Sequence, residues 1–288
     1  MGLTDNDFGY VADLARRGAA IVLDSSKAYL VEARLTSLMK RTGHASIDVL
    51  VGDLRLSSWG QLHDQVVEAL TTNETSFFRD YHPWETLATA ILPPLIEARR
   101  ASRRLRIWCC ACSSGQEPYT IAMIIRERFP ELLRWNVEIL STDISPRMVE
   151  RTLQGRYSDL EINRGLDPTL RDKWFEHRDN AWYARPELRA LIRTRPLNLA
   201  EPWQPMGSVD VAVIRNVLIY FDVATKCEIL ERLAVTIASD GVLILGAAET
   251  TINLTTSFER VVSGPTPFYR PNPHSSMRRN VLTIGARA

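Results

Sequence analysis

The sequence has few cysteines, no long apolar run and no excess of either charge. Its 288 residues include 35 Lys and Arg against 34 Asp and Glu, for a formal net charge of +1. A chain so close to neutral has no overall field that would attract nucleic acid or an anionic membrane. The longest strongly apolar runs are far shorter than the about 20 residues that a membrane-spanning helix needs. We therefore expect a globular protein without nucleic-acid binding or membrane insertion.

The cysteines give a second exclusion. Three of the four crowd together as Cys109, Cys110 and Cys112, and the fourth is Cys227. The spacing is not C-x-x-C, and no Cys/His cluster follows at zinc-finger distance. The N-terminal residues also lack the basic and apolar regions of a signal peptide. These features predict small, buried, reduced cysteines in a cytoplasmic protein, and no metal site.

The first 70 residues contain helical patterns only, which predicts an all-helical domain over residues 1–70. Apolar residues recur at helical spacing from Phe8, and a second pattern spans 27–41. Ser46 and the pair Ser57-Ser58 stand where the N-caps of two further helices are expected. Residues 71–104 follow as a linker. In that linker Pro93-Pro94 is expected to break or kink a helix, and an arginine-rich run is expected to be a solvated helix end.

From residue 105 onward, buried strands alternate with helices. Strands are predicted near 105–110, 137–141, 209–214 and 241–246, with a helix after each of the first three. This alternation is typical of the α/β class, with a doubly wound, mostly parallel sheet. Residues 157–196 do not follow the rhythm, and we expect them to form a small inserted β-subdomain. The predicted α/β domain spans 105–288.

The loops after the predicted strands indicate the kind of ligand, because doubly wound sheets bind ligands at the carboxyl ends of their strands. The first loop contains one glycine, so the G-x-G-x-x-G cradle and the P-loop are both absent. Glu117, at the start of the next helix, would repel a pyrophosphate. Asp143 ends the second strand, where an acidic residue can accept hydrogen bonds from ribose hydroxyls. Together these loops favour S-adenosylmethionine over NAD.

The same residues are also compatible with purely structural roles. The first loop fits an ordinary strand-to-helix turn, and Asp143 fits a helix N-cap. Asn216 and Tyr220 follow the third strand and offer an amide and a phenol, but Asn216 is equally compatible with a buried hinge.

Four strings in this order resemble the chemotaxis receptor methyltransferases of the CheR family. They are NETSFFR at 73–79, SSGQEPY at 113–119, TDIS at 142–145 and RNVLIYFD at 215–222. The resemblance runs from about residue 29 to residue 270. It implies an S-adenosylmethionine-binding α/β domain with an N-terminal all-helical domain and an inserted β-subdomain. It also implies methyl transfer to glutamate side chains on the cytoplasmic helices of chemoreceptors, giving glutamate methyl esters.

The resemblance also implies roles for individual residues. It assigns two residues, Arg79 and Tyr220, to the neighbourhood of the transferred methyl group. It assigns the remaining positions to the cofactor, together with Arg79, and these are Asn73, Thr75, Glu117, Asp143, Asn198, Leu199, Asn216 and Val217.

Two features of the sequence concern the recognition of the receptor. The predicted β-subdomain has a short loop without glycine at 177–181, whereas family members that tether to a C-terminal receptor pentapeptide carry a longer, glycine-containing loop there. We therefore expect a pentapeptide-independent enzyme. Lys27, Arg34 and Arg41 are seven residues apart and share one helix face, which is either a docking stripe for acidic receptor helices or a solvated face. We expect a monomer.

Two other functions compete with the receptor methyltransferase. The first is a non-catalytic S-adenosylmethionine-binding scaffold of a signalling array, against which the intact Arg79 and Tyr220 argue. The second is a nucleic-acid methyltransferase, which the neutral charge and the absence of an N/D-P-P-Y string disfavour.

Overall fold

The computed structural model describes residues 3–275. The chain folds into two compact units. The first unit comprises the chain up to Thr72 together with Tyr220–Thr225, and the second comprises Asn73–Ile219 and the chain from Lys226 onward. The expected helical domain of residues 1–70 lies within the first unit.

The first unit is built from four amphipathic helices within residues 3–72. They are α1 (Asp5–Ala19), α2 (Ala28–Thr42), α3 (Ile47–Leu56) and α4 (Gln61–Leu70). One face of each helix is buried, and the core includes Leu14, Leu35, Leu50 and Val66. A short 3₁₀ turn, Ser25–Lys27, precedes α2.

Of the serine caps predicted here, the first is confirmed and the second is wrong. The Ser46 side chain accepts a hydrogen bond from the Val49 N–H at the start of α3. Helix α4 begins after Gly60 instead of after the serine pair, and the Gly60 N–H donates to Nδ1 of His63. The Ser57 hydroxyl instead donates to the Asp53 carbonyl at the end of α3, over 2.7 Å.

Beyond Thr72, strands and helices alternate. The helices are α5 (His82–Thr86), α6 (Leu92–Arg99), α7 (Gln116–Arg128), α8 (Pro146–Gln154), α9 (Asp159–Ile162), α10 (Pro168–Trp174), α11 (Pro186–Arg189) and α12 (Val223–Thr236). The strands are β1 (Arg104–Cys109), β2 (Asn136–Asp143), β3 (Arg156–Tyr157), β4 (Phe175–Arg178), β5 (Ala181–Ala184), β6 (Ile192–Pro196), β7 (Val209–Ile214), β8 (Ile237–Leu245), β9 (Phe258–Val261) and β10 (Phe268–Pro271).

The proline pair at 93–94 does not end the helix in which it lies. A π-helical turn, Leu87–Ile91, joins α5 to α6, and the Leu92 N–H bonds to the Leu87 carbonyl. Because proline lacks an N–H and clashes with the preceding turn, a local π-turn accommodates both prolines while the chain remains helical.

The main sheet has seven strands in the order β6-β2-β1-β7-β8-β10-β9. Neighbouring strands from β6 to β8 are parallel, and β10 is antiparallel to both β8 and β9. Every residue of β7 is buried, as expected for a parallel strand covered on both faces. The predicted doubly wound, mostly parallel α/β fold is confirmed.

Strand β6 corrects the expected extent of the insertion. Its residues were predicted to lie in the inserted β-subdomain, but Ile192–Pro196 pair with β2 at the edge of the main sheet. The small separate sheet contains only β3, β5 and β4, and all its pairs are antiparallel.

A tight hairpin joins β4 to β5. Arg178 pairs with Ala181, so only Asp179 and Asn180 form the turn, with φ of +49° and +56°. Positive φ at both central residues is the signature of a type I′ turn, which matches the twist of the flanking strands. Asp and Asn tolerate this conformation better than other non-glycine residues.

Ion pairs connect three elements at the amino-terminal ends of the parallel strands. Nε of Arg99 donates to Oδ1 of Asp210 over 2.8 Å, and its two terminal nitrogens donate to Asp240. Arg99 is half-buried, and these bonds join the end of α6 to β7 and β8. The expectation that this arginine run is only a solvated helix end is therefore wrong for Arg99.

Cys109, Cys110 and Cys112 are buried and Cys227 is half-buried, and all four thiols are free. Burial raises the pKa of the Cys112 thiol. Within residues 3–275, no group of three or more His, Cys, Asp or Glu residues is arranged to hold a metal ion. Over the same range, none of the helices is both long and apolar enough to cross a membrane.

Candidate active site

Three loops leave the sheet side by side at its carboxyl edge. Because β1 lies between β2 and β7, the loops that follow these strands are neighbours. They begin at residues 110, 144 and 215. This edge is where open parallel sheets bind their ligands.

The loop after β1 is held in an unusual conformation by side chains from the second unit. Ser113 and Gly115 both have positive φ, +48° and +96°. The Thr152 hydroxyl donates to the Ser113 carbonyl, and the Tyr157 hydroxyl donates to the Ser114 carbonyl, each over 3.0 Å. A Cβ atom added at Gly115 would lie 2.9 Å from the Tyr157 hydroxyl oxygen. Backbone conformation and space therefore both require glycine here.

Asp143 ends β2 as a buried carboxylate, with 6% of its surface exposed. Its Oδ2 accepts the Ser113 N–H over 2.8 Å, and its Oδ1 accepts the Ser145 N–H over 3.0 Å. The N-cap of α8 is Ser145, whose hydroxyl oxygen accepts the Met148 N–H. The alternative of Asp143 as the N-cap is therefore wrong, and its carboxylate is held at the sheet edge by two loops.

Glu117 lies in the first turn of α7, and 12% of its side chain is exposed. Its Oε2 accepts a hydrogen bond from Nη1 of Arg215 over 3.3 Å. Burial raises the pKa of the Glu117 carboxyl, and the positive charge of Arg215 opposes that rise. Arg79 also lowers this pKa and Glu249 raises it, so both charges act on the same carboxylate.

Arg215 follows β7 and is almost completely buried, with 2% of its side chain exposed. Its Nη2 donates to Oδ2 of Asp80 over 2.6 Å and to the Arg79 carbonyl over 3.1 Å. Its guanidinium carbon lies 4.9 Å from the centre of the Trp84 ring, in a cation–π contact. One side chain therefore contacts α5, α7 and the turn that precedes α5.

That preceding turn is strained. Phe78, Asp80 and Tyr81 all have positive φ, between +47° and +67°. Each such residue costs about 1–3 kcal/mol and persists only where the surroundings determine its conformation. Nε1 of Trp84 also donates to the Arg79 carbonyl, over 3.0 Å. The Arg79 carbonyl thus receives two side-chain donors.

The Arg79 side chain lies closer to solvent, with 31% of its surface exposed. Its Nη1 donates to the Glu74 carbonyl over 3.1 Å and lies 3.3 Å from Oε2 of the same residue. The Asn73 carbonyl accepts the Ser113 hydroxyl over 2.7 Å, which brings the 73–79 segment to the loop after β1. Thr75, which lies between Asn73 and Arg79 in the sequence, is half-buried.

Glu249 organises the loop after β7. Its carboxylate accepts four backbone N–H groups, from Asn216, Val217, Leu218 and Gly246. Asn216 has a φ of +58°. A Cβ at position 246 would lie 2.7 Å from a Glu249 carboxylate oxygen and 2.8 Å from the Asn216 nitrogen. Glycine at 246 therefore permits this close approach.

Asn198 and Leu199 follow the edge strand β6. Nδ2 of Asn198 donates to Glu201 over 3.0 Å, and its Oδ1 accepts the Ala200 N–H. Leu199 is buried, with its carbonyl accepting Nε1 of Trp203. The pair thus begins a connection stabilised by its own side chains.

The remaining candidate residues belong to the first unit. Tyr220 is half-buried, and its carbonyl accepts the Val22 N–H over 2.9 Å. Lys27 and Arg41 are exposed. Arg34 instead donates to the Leu70 carbonyl over 2.5 Å and to the Thr72 hydroxyl over 2.8 Å, so it stabilises the carboxyl end of α4.

Two segments of the chain match described protein domains. Residues 6–71 match the CheR methyltransferase all-alpha domain, and residues 73–266 match the CheR methyltransferase SAM binding domain. The chain belongs to the CheR methyltransferase family. The expected family is confirmed, as are the methyltransferase class and a SAM-binding domain beside an all-helical one.

Relatives in this family are similar over nearly their whole length. The chain is 38% identical to chemotaxis protein methyltransferase 1 of Pseudomonas aeruginosa over 275 residues, which cover 94% of this chain and 99% of the relative. It is 38% identical to the chemotaxis protein methyltransferase of Vibrio parahaemolyticus, with 93% and 98% covered. It is 36% identical to chemotaxis protein methyltransferase Cher2 of Pseudomonas putida, with 92% and 97% covered.

The CheR fold brings most of the predicted cofactor residues of the second unit to one sheet edge. The residues that sequence reasoning missed there are Asp80, Arg215 and Glu249. Asp80 is adjacent to Arg79 and Arg215 to Asn216, both of which were predicted. A charged residue next to apolar neighbours could have indicated a role at the site. Glu249 carries no signal in the sequence, because its role depends on four backbone groups that only the fold brings together.

Proposed function

We propose that this CheR protein transfers the methyl group of S-adenosylmethionine to glutamate side chains on the cytoplasmic helices of chemoreceptors. One observation carries the proposal at the site. Two carboxylates, the half-buried Glu117 and the buried Asp143, stand beside the loops after β1 and β2, where a dinucleotide site would present a phosphate cradle. Such a pair suits a ligand that has ribose hydroxyls and a positively charged group.

The residues present fit S-adenosylmethionine. Asp143 suits the ribose hydroxyls and Glu117 the cationic part of the cofactor. We assign the other cofactor contacts to Asn73, Thr75, Arg79, Asn198, Leu199, Asn216 and Val217. When bound, S-adenosylmethionine supplies an electrophilic methyl group on a positively charged sulfur.

The protein's own residues then have a modest chemical task. A glutamate acceptor with a pKa of about 4.3 is already ionised at neutral pH, so the site needs no general base. Arg79 has the planar, bidentate geometry that orients a carboxylate, and its guanidinium is accessible. Tyr220 orients the acceptor oxygen or the methyl group through its phenol. Alignment and exclusion of water supply much of the rate enhancement.

The hairpin between β4 and β5 supports pentapeptide-independent recognition. Its turn consists of Asp179 and Asn180 alone, which leaves no loop residues beyond the turn itself to contact a receptor tail. We propose that the receptor is bound through its helices, with Lys27, Arg34 and Arg41 in the first unit as the docking stripe. The setting of this reaction is the cytoplasm.

The test is transfer of labelled methyl groups from S-adenosylmethionine to matched pairs of receptor cytoplasmic fragments, one with and one without a C-terminal pentapeptide. The product is scored as alkali-labile methanol. We expect equal methylation of both members of a pair, and none in a fragment whose acceptor glutamates are replaced by glutamine. Faster methylation of the pentapeptide-bearing member would refute pentapeptide independence. No methylation by a protein that binds the cofactor calorimetrically would favour a non-catalytic scaffold.

A further inference from the structure

Arg215 is a buried charged side chain at the carboxyl edge, and the proposed reaction gives it no role. Its terminal nitrogens reach Glu117 on α7 and two groups of the strained turn, the Asp80 carboxylate and the Arg79 carbonyl. A guanidinium is suited to this task because its donors are held in a rigid fork.

The contacts connect two parts of the proposed site that are far apart in the sequence. The turn determines where the Arg79 side chain begins, and Glu117 is the carboxylate assigned to the cationic part of the cofactor. Three residues of the turn have positive φ, which is a strained backbone conformation. Such a conformation persists only where contacts from outside the turn stabilise it. Arg215 and Trp84 supply them at the Arg79 carbonyl.

We propose that Arg215 is a positioning residue for methyl transfer, which fixes the Arg79 turn and the Glu117 carboxylate in one arrangement. This inference rests on the proposed function, because it takes Arg79 and Glu117 as parts of the methyl-transfer site.

The charge of Arg215 acts on the Glu117 carboxylate, and its geometry acts on the strained turn. The positive charge of Arg215, like that of Arg79, lowers the pKa of Glu117 and opposes the rise caused by burial and by the Glu249 carboxylate. The neighbouring thiols of Cys109 and Cys110 stay neutral, because burial raises the pKa of each. The forked geometry of Arg215 holds the turn through Asp80 and the Arg79 carbonyl.

Four variants of the full-length protein separate these contributions. Arg215→Met removes charge and fork, whereas Arg215→Lys keeps the charge and loses the fork. Asp80→Asn loosens only the turn, and Asn tolerates the positive φ at that position. The matched control is Arg99→Met, because Arg99 also pairs with two carboxylates but at the opposite ends of the strands.

Two quantities are measured for each variant, the turnover number on a receptor fragment and the pH dependence of S-adenosylmethionine affinity by calorimetry. Affinity falls as pH drops and Glu117 becomes protonated. Loss of the Arg215 charge raises the pKa of Glu117 further, so in Arg215→Met this fall occurs at a higher pH than in the wild type. In Arg215→Lys and Asp80→Asn we expect a pH midpoint near that of the wild type and turnover lowered about 10- to 100-fold.

The control separates positioning from general stability. Arg99→Met lowers the melting temperature but keeps the wild-type turnover and pH midpoint below that temperature. The inference is overturned if Arg215→Lys and Asp80→Asn turn over at the wild-type rate, or if the Arg99 variant loses activity equally. If Arg215→Met does not fold, the turnover of the Arg215→Lys, Asp80→Asn and Arg99→Met variants still tests the inference. If the wild-type protein binds no S-adenosylmethionine, the proposed function fails instead.

Discussion

Asp143 and Arg79 are held in different ways, and this difference predicts different roles. Asp143 is buried and accepts two backbone N–H groups, one from the loop after β1 and one from the loop after its own strand. Arg79 has a third of its side chain exposed and bonds mainly to the adjacent Glu74. A fixed, buried carboxylate suits the binding of a ligand that stays in place. An accessible guanidinium suits a substrate carboxylate that arrives and leaves.

Substitution by alanine should therefore separate binding from turnover. A hydrogen bond to a charged group contributes about 1.5–3 kcal/mol, so Asp143→Ala should raise the dissociation constant of S-adenosylmethionine about 10- to 100-fold. Arg79→Ala should mainly lower the turnover number. Calorimetry with the cofactor and single-turnover methylation of a receptor fragment measure the two effects. Unchanged cofactor affinity in the Asp143 variant would contradict the ribose assignment.

At the scale of elements, the loop after β7 has no regular structure of its own before the short 3₁₀ turn Leu218–Tyr220. Asn216 adopts a positive φ there, and three consecutive N–H groups turn toward one carboxylate. Together with the Gly246 N–H, these bonds tie the end of β7 to the end of β8. Glu249 thus replaces the backbone pairing that a strand or helix would provide.

We expect Glu249→Gln to destabilise the protein by about 1–3 kcal/mol, because an amide offers one acceptor oxygen in place of two and leaves N–H groups unpaired. S-adenosylmethionine affinity should fall as well, since Asn216 and Val217 are assigned to the cofactor. Denaturant unfolding and calorimetry measure the two effects. Glu259→Gln, an exposed position on β9, is the control and should change neither. Equal stability of both variants would show that Glu249 is not needed to hold the loop.

The elements also show what a sequence can and cannot predict. The buried strands β1, β2, β7 and β8 were found because a covered parallel strand is a continuous apolar run. The edge strand β6 was missed because Arg193, Arg195 and Pro196 interrupt that pattern, as charged residues and proline commonly do at edges. The short antiparallel strands β9 and β10 were missed for lack of length.

The same limit applies to the site. Residues at or just beyond the ends of buried strands, such as Asp143 and Asn216, could be located from the pattern alone. The contact of Arg215 with Asp80 joins positions far apart in the chain, and only the folded sheet brings them together. Arg34 and Arg41 lie on α2, but Lys27 belongs to the 3₁₀ turn that precedes it. Arg34 donates to the last residue of α4, whereas Lys27 and Arg41 are exposed.

For the molecule as a whole, this unequal stripe predicts how a receptor is recognised. Lys27 and Arg41 remain exposed and can attract an acidic helix, whereas Arg34 holds the end of α4. Charge reversal of both exposed residues, Lys27→Glu with Arg41→Glu, should lower kcat/KM for receptor fragments about tenfold at low salt and less at high salt. S-adenosylmethionine affinity should stay at the wild-type value, because these residues are not assigned to the cofactor.

The matched control reverses two exposed arginines on a different helix, Arg16→Glu with Arg17→Glu on α1, and so changes the net charge by the same amount. If both double variants lose the same activity, the effect is one of net charge and the stripe has no special role. If only the Lys27 and Arg41 variant loses activity, and the loss shrinks as salt screens the charges, the receptor helix docks on the surface formed by these two residues. Arg34→Ala would differ from both by lowering the stability of the first unit, since it leaves the Leu70 carbonyl without its donor.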